Sequence, residues 1–136
     1  MRMWFRRREV PWEVVGHKGV QPIPMYDEDD EFNILRVAPS EMSCQFSYDL
    51  HDPKDMQNAV QTARYHLMLH ITGRSYNMLL SEGWRVTIMR KGKKYRADVV
   101  YTGLPAYITG KVTPQPSPPF MDVLEFYRRD MCSSSP

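Results

Sequence analysis

The chain has 136 residues, of which 42% are hydrophobic and 25% charged, and its 18 basic and 16 acidic side chains leave a formal net charge of +2. These proportions are typical of one soluble domain, and a charge this close to balance excludes binding to nucleic acid by bulk charge alone. No apolar run reaches the roughly 18–20 residues that a membrane-spanning helix needs. Cys44 and Cys132 lie far apart in the sequence, which favours a reducing compartment over a disulfide.

Residues 1–31 are predicted to form a flexible N-terminal arm. They include three prolines, two glycines and a final run of five acids, and they show neither a helical nor a strand period. No apolar stretch of signal-peptide length follows the first charges, so we expect a protein that is not secreted. The start of the arm is basic and aromatic, which is typical of a segment that docks on a partner. The candidate docking residues are Arg2, Trp4, Phe5, Arg6, Arg7 and Arg8.

A short proline-containing segment ends at Tyr26, directly before the acidic run. Extended segments of this kind bind the aromatic-lined grooves of peptide-recognition modules. We therefore interpret Pro22, Pro24 and Tyr26 as a candidate peptide motif. The alternative is a linker whose prolines only prevent regular secondary structure.

The central part of the chain contains the clearest predicted elements. Residues 32–37 and 43–50 have the composition and alternation of strands. A helix should then begin near the capping residue Asp52 and end at Gly73, with one apolar stripe between them. Residues 76–80 are predicted to form a second short helix or a turn.

Residues 84–89 and 94–101 are predicted to pair as a hairpin whose turn lies at residues 91–93. A basic cluster on this hairpin could bind the phosphates of RNA or anionic lipid head groups. The alternative is a hairpin tip that adds solubility and blocks pairing at a sheet edge. The cluster consists of Arg85, Arg90, Lys91, Lys93, Lys94 and Arg96.

The C-terminal part adds a strand at residues 104–108, a stiff proline-rich link at 112–119 and a short helix at 120–129. The predicted fold class is therefore α+β: a small antiparallel sheet with one main helix, a short C-terminal helix and the flexible arm. A single domain would span residues 32–130, and residues 131–136 would be a tail.

Enzymatic chemistry finds little support in the sequence. His66 and His70 have the spacing of a zinc helix, but neither a third ligand nor the glutamate of the corresponding motif accompanies them. Cys44, His51 and Asp52 lack the local signature of a nucleophile and its base. We expect a non-enzymatic protein without catalytic residues, metal site or cofactor.

The order of several motifs resembles that of rhabdovirus matrix proteins of the vesiculovirus kind. The basic arm precedes Pro22-Ile23-Pro24-Met25-Tyr26 and its acids, with Ile23 where the family's late-budding motif has its first proline. Further matches are Ala38-Pro39-Ser40, residues 103–107 and residues 110–114.

The resemblance implies a viral structural protein that self-associates and bridges an anionic membrane and the ribonucleoprotein during assembly and budding. It implies that the membrane-binding residues are those of the basic arm, Arg2, Trp4, Phe5, Arg6, Arg7 and Arg8. It also implies a homo-oligomer in the virion and the host cytoplasm, peripheral to the inner membrane surface, with host peptide-binding modules as further partners. Two other interpretations stay open. One is a small RNA-binding or host-interaction viral accessory protein that uses the basic hairpin at residues 85–96. The other is a protein-binding scaffold domain.

Overall fold

The computed structural model describes residues 11–26, 31–52, 55–110 and 118–121. These residues form five strands and one helix, and strands account for 59% of them. The elements in chain order are β1 (Glu13–Pro24), β2 (Phe32–Val37), β3 (Met42–Leu50), α1 (Asp55–Thr72), β4 (Met78–Lys91) and β5 (Lys94–Gly110).

All five strands belong to one antiparallel sheet, in which β4 and β5 form the centre. β1 pairs with the outer edge of β4, so it is one edge of the sheet. β5 is long enough to pair with two strands on its other side: β3 lies against its first half and β2 against its second half. The second edge therefore consists of β3 and β2, interrupted at residues 38–41.

α1 lies across one face of the sheet, over β3 and β5. The apolar stripe predicted for this helix is buried, and it packs against alternate residues of the strands. The carboxylate of Asp55 accepts hydrogen bonds from the backbone N–H groups of His51 and Asp52, at 2.8 and 3.0 Å. At the other end, the Gly73 N–H donates to the Leu69 carbonyl. The buried side of the helix consists of Met56, Ala59, Val60, Ala63, Leu67 and Ile71.

The opposite face of the sheet, which we call the open face, is polar and carries no helix among the described residues. Cross-strand pairs hold its side chains in place. The hydroxyls of Ser43 and Thr102 are 2.9 Å apart, and the Ser47 hydroxyl donates to Asp98 at 2.8 Å. This division into a buried apolar face and an exposed polar face explains the alternation in β3.

The predicted fold class is wrong, because the sheet is the main element rather than a small one and the described residues contain a single helix. Residues 76–80, predicted as a helix or turn, instead lead into β4. Residues 104–108 are the second half of β5 rather than a separate strand. Of the predicted C-terminal helix at 120–129, Phe120 and Met121 lie in a turn, and the remainder lies outside the described residues.

The prediction of a flexible arm up to residue 31 is also wrong, since Glu13–Pro24 is a full strand of the sheet. Prolines are tolerated here because β1 is an edge strand, where a missing N–H need not break a ladder. The register with β4 also shifts between Val20 and Ile23, next to Pro22. Breaker residues therefore mark irregularities in β1 rather than the absence of a strand.

Candidate docking site for an anionic surface

The predicted basic hairpin forms at the junction of β4 and β5. Lys91 pairs with Lys94 across a two-residue turn, and Gly92 has a φ of +64°, as the first central residue of a type II′ turn requires. No hydrogen bond or ion pair links the side chains of Lys91, Lys93 or Lys94 to another residue of the described ranges. Three ammonium groups are thus concentrated at the end of the sheet, with their charges available to a ligand.

The other three residues of the predicted cluster have different surroundings. Arg90 forms an ion pair with Glu13 at 2.5 Å, and this hydrogen bond raises the pKa of Arg90 above its ordinary value. Arg96 forms an ion pair with Asp98 at 3.0 Å. Arg85 lies on the open face, away from the turn. Of the six predicted basic residues, the hairpin tip therefore contains three, namely Lys91, Lys93 and Lys94.

β1 begins beside this same hairpin tip. Glu13 is paired in register with Arg90, one residue before Lys91, and the Trp12 ring lies over the Arg96 guanidinium with its centroid 4.5 Å from Cζ. The first described residues of the chain therefore lie next to the three lysines. The candidate residues Arg2, Trp4, Phe5, Arg6, Arg7 and Arg8 themselves lie outside the described residues.

Acidic groups lie at this end of the sheet too. The end of β3 reaches the hairpin through the Leu50–Tyr95 pair, and Asp49 and Asp52 lie there. On the opposite side of the hairpin, at the start of β1, the carboxylate of Glu13 is already paired with Arg90. The three lysines of the turn therefore lie between an acidic side at β3 and a charge-paired side at β1.

A shallow groove of about 640 Å³ crosses the open face between β1, β4 and β3. Arg85, Lys18 and His17 supply nitrogen groups to its wall, and Glu41 supplies a carboxylate. Thr102 and Ser43 supply hydroxyls. The groove could hold a polar or anionic chain lying flat on the sheet. It adds Arg85 as a basic residue beyond the hairpin tip.

The candidate peptide motif lies within the fold. Pro22 and Pro24 belong to β1, and the Met25 N–H donates to the Leu80 carbonyl. The half-buried Tyr26 ring packs edge-to-face on Phe32, with 5.5 Å between centroids. A module that binds this segment would have to separate Tyr26 from that contact. The acids at residues 27–30 lie outside the described residues.

Sequence reasoning missed a buried polar network that joins α1 to β4 and β5. Arg64 of the helix donates to both carboxylate oxygens of Glu82, at 2.6 and 3.2 Å. Burial alone would lower the pKa of Arg64, but its hydrogen bond and charge interaction with Glu82 raise it. The sequence signal was an acid, Glu82, two positions after the apolar run that ends at Leu80. The network fixes the helix on the sheet.

Within the described ranges, no three histidine, cysteine, aspartate or glutamate side chains lie close enough together to hold a metal ion. His66 and His70 are both exposed on α1, and the His66 ring lies 5.0 Å from the Phe46 ring. In the same part of the chain, no helix has the length and apolar character that crossing a bilayer requires. The chain matches no protein-family model, no curated protein and no solved structure.

Proposed function

We propose that the protein is a non-enzymatic, matrix-like structural protein that binds an anionic membrane surface through one end of its sheet. The observation that supports this proposal is that the start of β1 lies beside the basic hairpin tip. The Glu13–Arg90 pair and the contact between Trp12 and Arg96 hold that start next to Lys91, Lys93 and Lys94, and the basic residues 1–10 precede it in the sequence. A planar anionic surface could then contact both segments at once.

The expected strength of such binding follows from the number of charges. Each Lys or Arg near an anionic leaflet contributes about 1 kcal/mol, and this attraction decays within a Debye length of about 8 Å at physiological salt. The three lysines and the arm's four arginines would supply most of the attraction, and Trp4 and Phe5 would insert at the interface. Binding of this kind is reversible and sensitive to salt, as a peripheral protein of virion assembly requires.

Co-sedimentation with vesicles tests the proposal. The full chain should bind phosphatidylserine-containing vesicles and ignore pure phosphatidylcholine vesicles, and its affinity should fall as salt rises. Neutralising the hairpin tip with Lys91→Gln, Lys93→Gln and Lys94→Gln should weaken binding by at least tenfold, because about 3 kcal/mol of attraction is lost.

A single-residue comparison provides the matched control. Lys93→Gln removes one exposed cation at the tip, whereas Arg74→Gln removes one exposed cation after α1, near the opposite end of the sheet. The first substitution should weaken binding several-fold more than the second. Equal effects of the two, or no binding to anionic vesicles at any salt concentration, would contradict the proposal.

RNA binding is the second candidate function, and the groove on the open face favours it. Arg85 lies in the groove wall, on the same face as the Trp12 ring and Arg96, so a single strand could contact phosphate-binding and stacking groups together. In this case single-stranded RNA should bind in a salt-dependent manner and Arg85→Gln should weaken it, while vesicle binding should remain unaffected by that substitution.

A further inference from the structure

The two edges of the sheet differ in how well they are protected against pairing with another strand. β1 contains two prolines and two register shifts, and Lys18 lies in its middle. β2 has a register shift between Ile34 and Arg36. These are devices that discourage the addition of a further strand. β3 has none of them: its nine residues contain no proline and no lysine, and they pair with β5 without any irregularity.

The outer side of β3 pairs with no strand of the described ranges, since its partner is β5 alone. Every second backbone N–H and C=O of β3 therefore points away from the sheet without a partner strand there. A regular nine-residue edge of this kind is a template for strand addition.

We propose that β3 pairs antiparallel with β3 of a second copy of this chain, which would join two sheets into one ten-stranded sheet around a two-fold axis. Phe46 is the central residue of β3, so a two-fold axis at Phe46 pairs all nine residues of the strand. Phe46 then lies opposite Phe46 of the second copy, and Cys44 lies opposite Tyr48 of the second copy.

Side-chain chemistry favours this register. Apolar and aromatic residues meet on the helix-covered face, while on the open face Gln45 meets Ser47, and Asp49 meets Ser43 of the second copy. No two like charges oppose each other. Shifting the axis to Gln45 would place Glu41 directly opposite Asp49, and like charges in directly opposite positions destabilise a sheet.

The surface of α1 supplies an independent reason to choose a second copy as the occupant. The helix lies toward the β3 side of the sheet, and its outward side carries the apolar residues Tyr65 and Leu69, which are 61% and 54% exposed. A space of about 320 Å³ separates Tyr65 from Tyr48 of β3. A two-fold axis through Phe46 would bring the second helix over this space, so that both exposed side chains gain a partner.

The pairing can be tested without lipid or RNA, so its failure and the failure of membrane binding are distinguishable. Sedimentation equilibrium of the full chain should give the mass of a dimer. Gln45→Lys should raise the dissociation constant at least tenfold, because it places an ammonium group at the centre of the new strand pair. Gln21→Lys is the matched control, since Gln21 is an exposed glutamine on the other edge strand, β1. It should leave the dissociation constant unchanged.

Thiol cross-linking tests the register itself. Tyr48→Cys in a Cys132→Ser background places a new thiol opposite Cys44 of the second copy, at a Cβ separation of about 4.5–5.5 Å that is close to disulfide geometry. Within one chain the two positions are about 13 Å apart along the strand, so an internal disulfide is excluded. Oxidation should yield a covalent dimer, whereas Gln21→Cys in the same background should not. Burial raises the pKa of the Cys44 thiol, so the reaction is run at alkaline pH.

Three results would overturn the proposal. The first is a monomer at all concentrations. The second is a dimer that Gln21→Lys disrupts and Gln45→Lys does not. The third is a monomer whose β3 amides become protected from hydrogen exchange only when an extended peptide is added, which would assign the edge to a foreign strand.

Discussion

The phenol of Tyr101 donates a hydrogen bond to the carboxylate of Glu82, with 2.5 Å between the two oxygens, and both side chains are fully buried beneath α1. The same carboxylate accepts two hydrogen bonds from Arg64. A buried carboxylate is costly unless its lone pairs are satisfied, and here α1 and β5 supply the donors to a carboxylate of β4. The position of α1 on the sheet is thereby specified by polar contacts as well as by apolar packing.

Stability should fall at high pH because of this contact. Burial, followed by the negative charge of Glu82, raises the pKa of Tyr101 well above its ordinary value of 10. The folded chain keeps this proton while an unfolded tyrosine loses it, so the contribution is complete below pH 10 and declines above it, by up to about 1.4 kcal/mol per pH unit. Urea unfolding at pH 8, 10 and 11 should show a steeper loss for the wild type than for Tyr101→Phe. A Tyr65→Phe control, which changes an exposed ring, should retain the wild-type slope.

Replacing one partner of the Arg64–Glu82 ion pair should lower the free energy of unfolding more than replacing both partners. Glu82→Leu leaves the Arg64 guanidinium without its carboxylate, and we expect a loss of about 3 kcal/mol in the free energy of unfolding. Combining it with Arg64→Met should recover part of that loss, since no uncompensated charge remains. Chemical denaturation of the two single variants and the double variant measures the coupling. Additive effects would show that the two side chains contribute independently.

Close contact between β1 and β4 depends on Gly83. A Cβ at this position would lie 2.5 Å from the Pro22 nitrogen and 2.6 Å from the Val20 carbonyl oxygen, and both are backbone atoms that can move only with the strand. Gly83→Ala should therefore destabilise the protein by about 1–3 kcal/mol. Hydrogen exchange should show faster opening of β1 than of β3. Uniformly faster exchange throughout the sheet would mean that the strain is not confined to β1.

The contact between Trp12 and Arg96 should influence vesicle binding more than stability. Both side chains are half-buried, and a cation–π contact in such a place contributes about 0.5–2 kcal/mol, so Trp12→Ala should lower the free energy of unfolding by no more than that. Because Trp12 holds the start of β1 beside the lysines, its loss should weaken binding to anionic vesicles several-fold. Trp12→Tyr retains an aromatic ring over Arg96 and should bind nearly as well as the wild type. Equal binding by Trp12→Ala and wild type would show that the contact does not position the arm.

Local patterns in the sequence were sufficient to predict the elements that form mainly through contacts between residues close together in the sequence. The apolar stripe and the terminal glycine of α1 placed its end at Gly73, and the hairpin at Lys91–Lys94 followed from a turn between two alternating segments. The six basic residues of the hairpin were likewise identified, but not their partners. Those partners, such as Glu13 for Arg90, depend on a long-range strand pairing that no local pattern reveals.

The errors came from residues whose role is set by tertiary structure. Residues 104–108 were predicted as a separate strand, whereas β5 continues through Gly103, which leaves room for the side chain of Leu79. The apolar run at residues 78–80 has no periodicity of its own, so helix and strand could not be separated. Pro22 and Pro24 were interpreted as evidence against a strand, although an edge strand accommodates them.

The pairing of β1 with β4 has a consequence for synthesis of the chain. Glu13 leaves the ribosome long before its partner Arg90 exists. At roughly 5–20 residues per second, β1 waits several seconds for a strand to pair with, whereas β5 can fold onto β4 almost as soon as it appears. The nascent chain therefore completes its central hairpin before its first strand is secured, and the start of β1 reaches its position beside the lysines among the last events of folding.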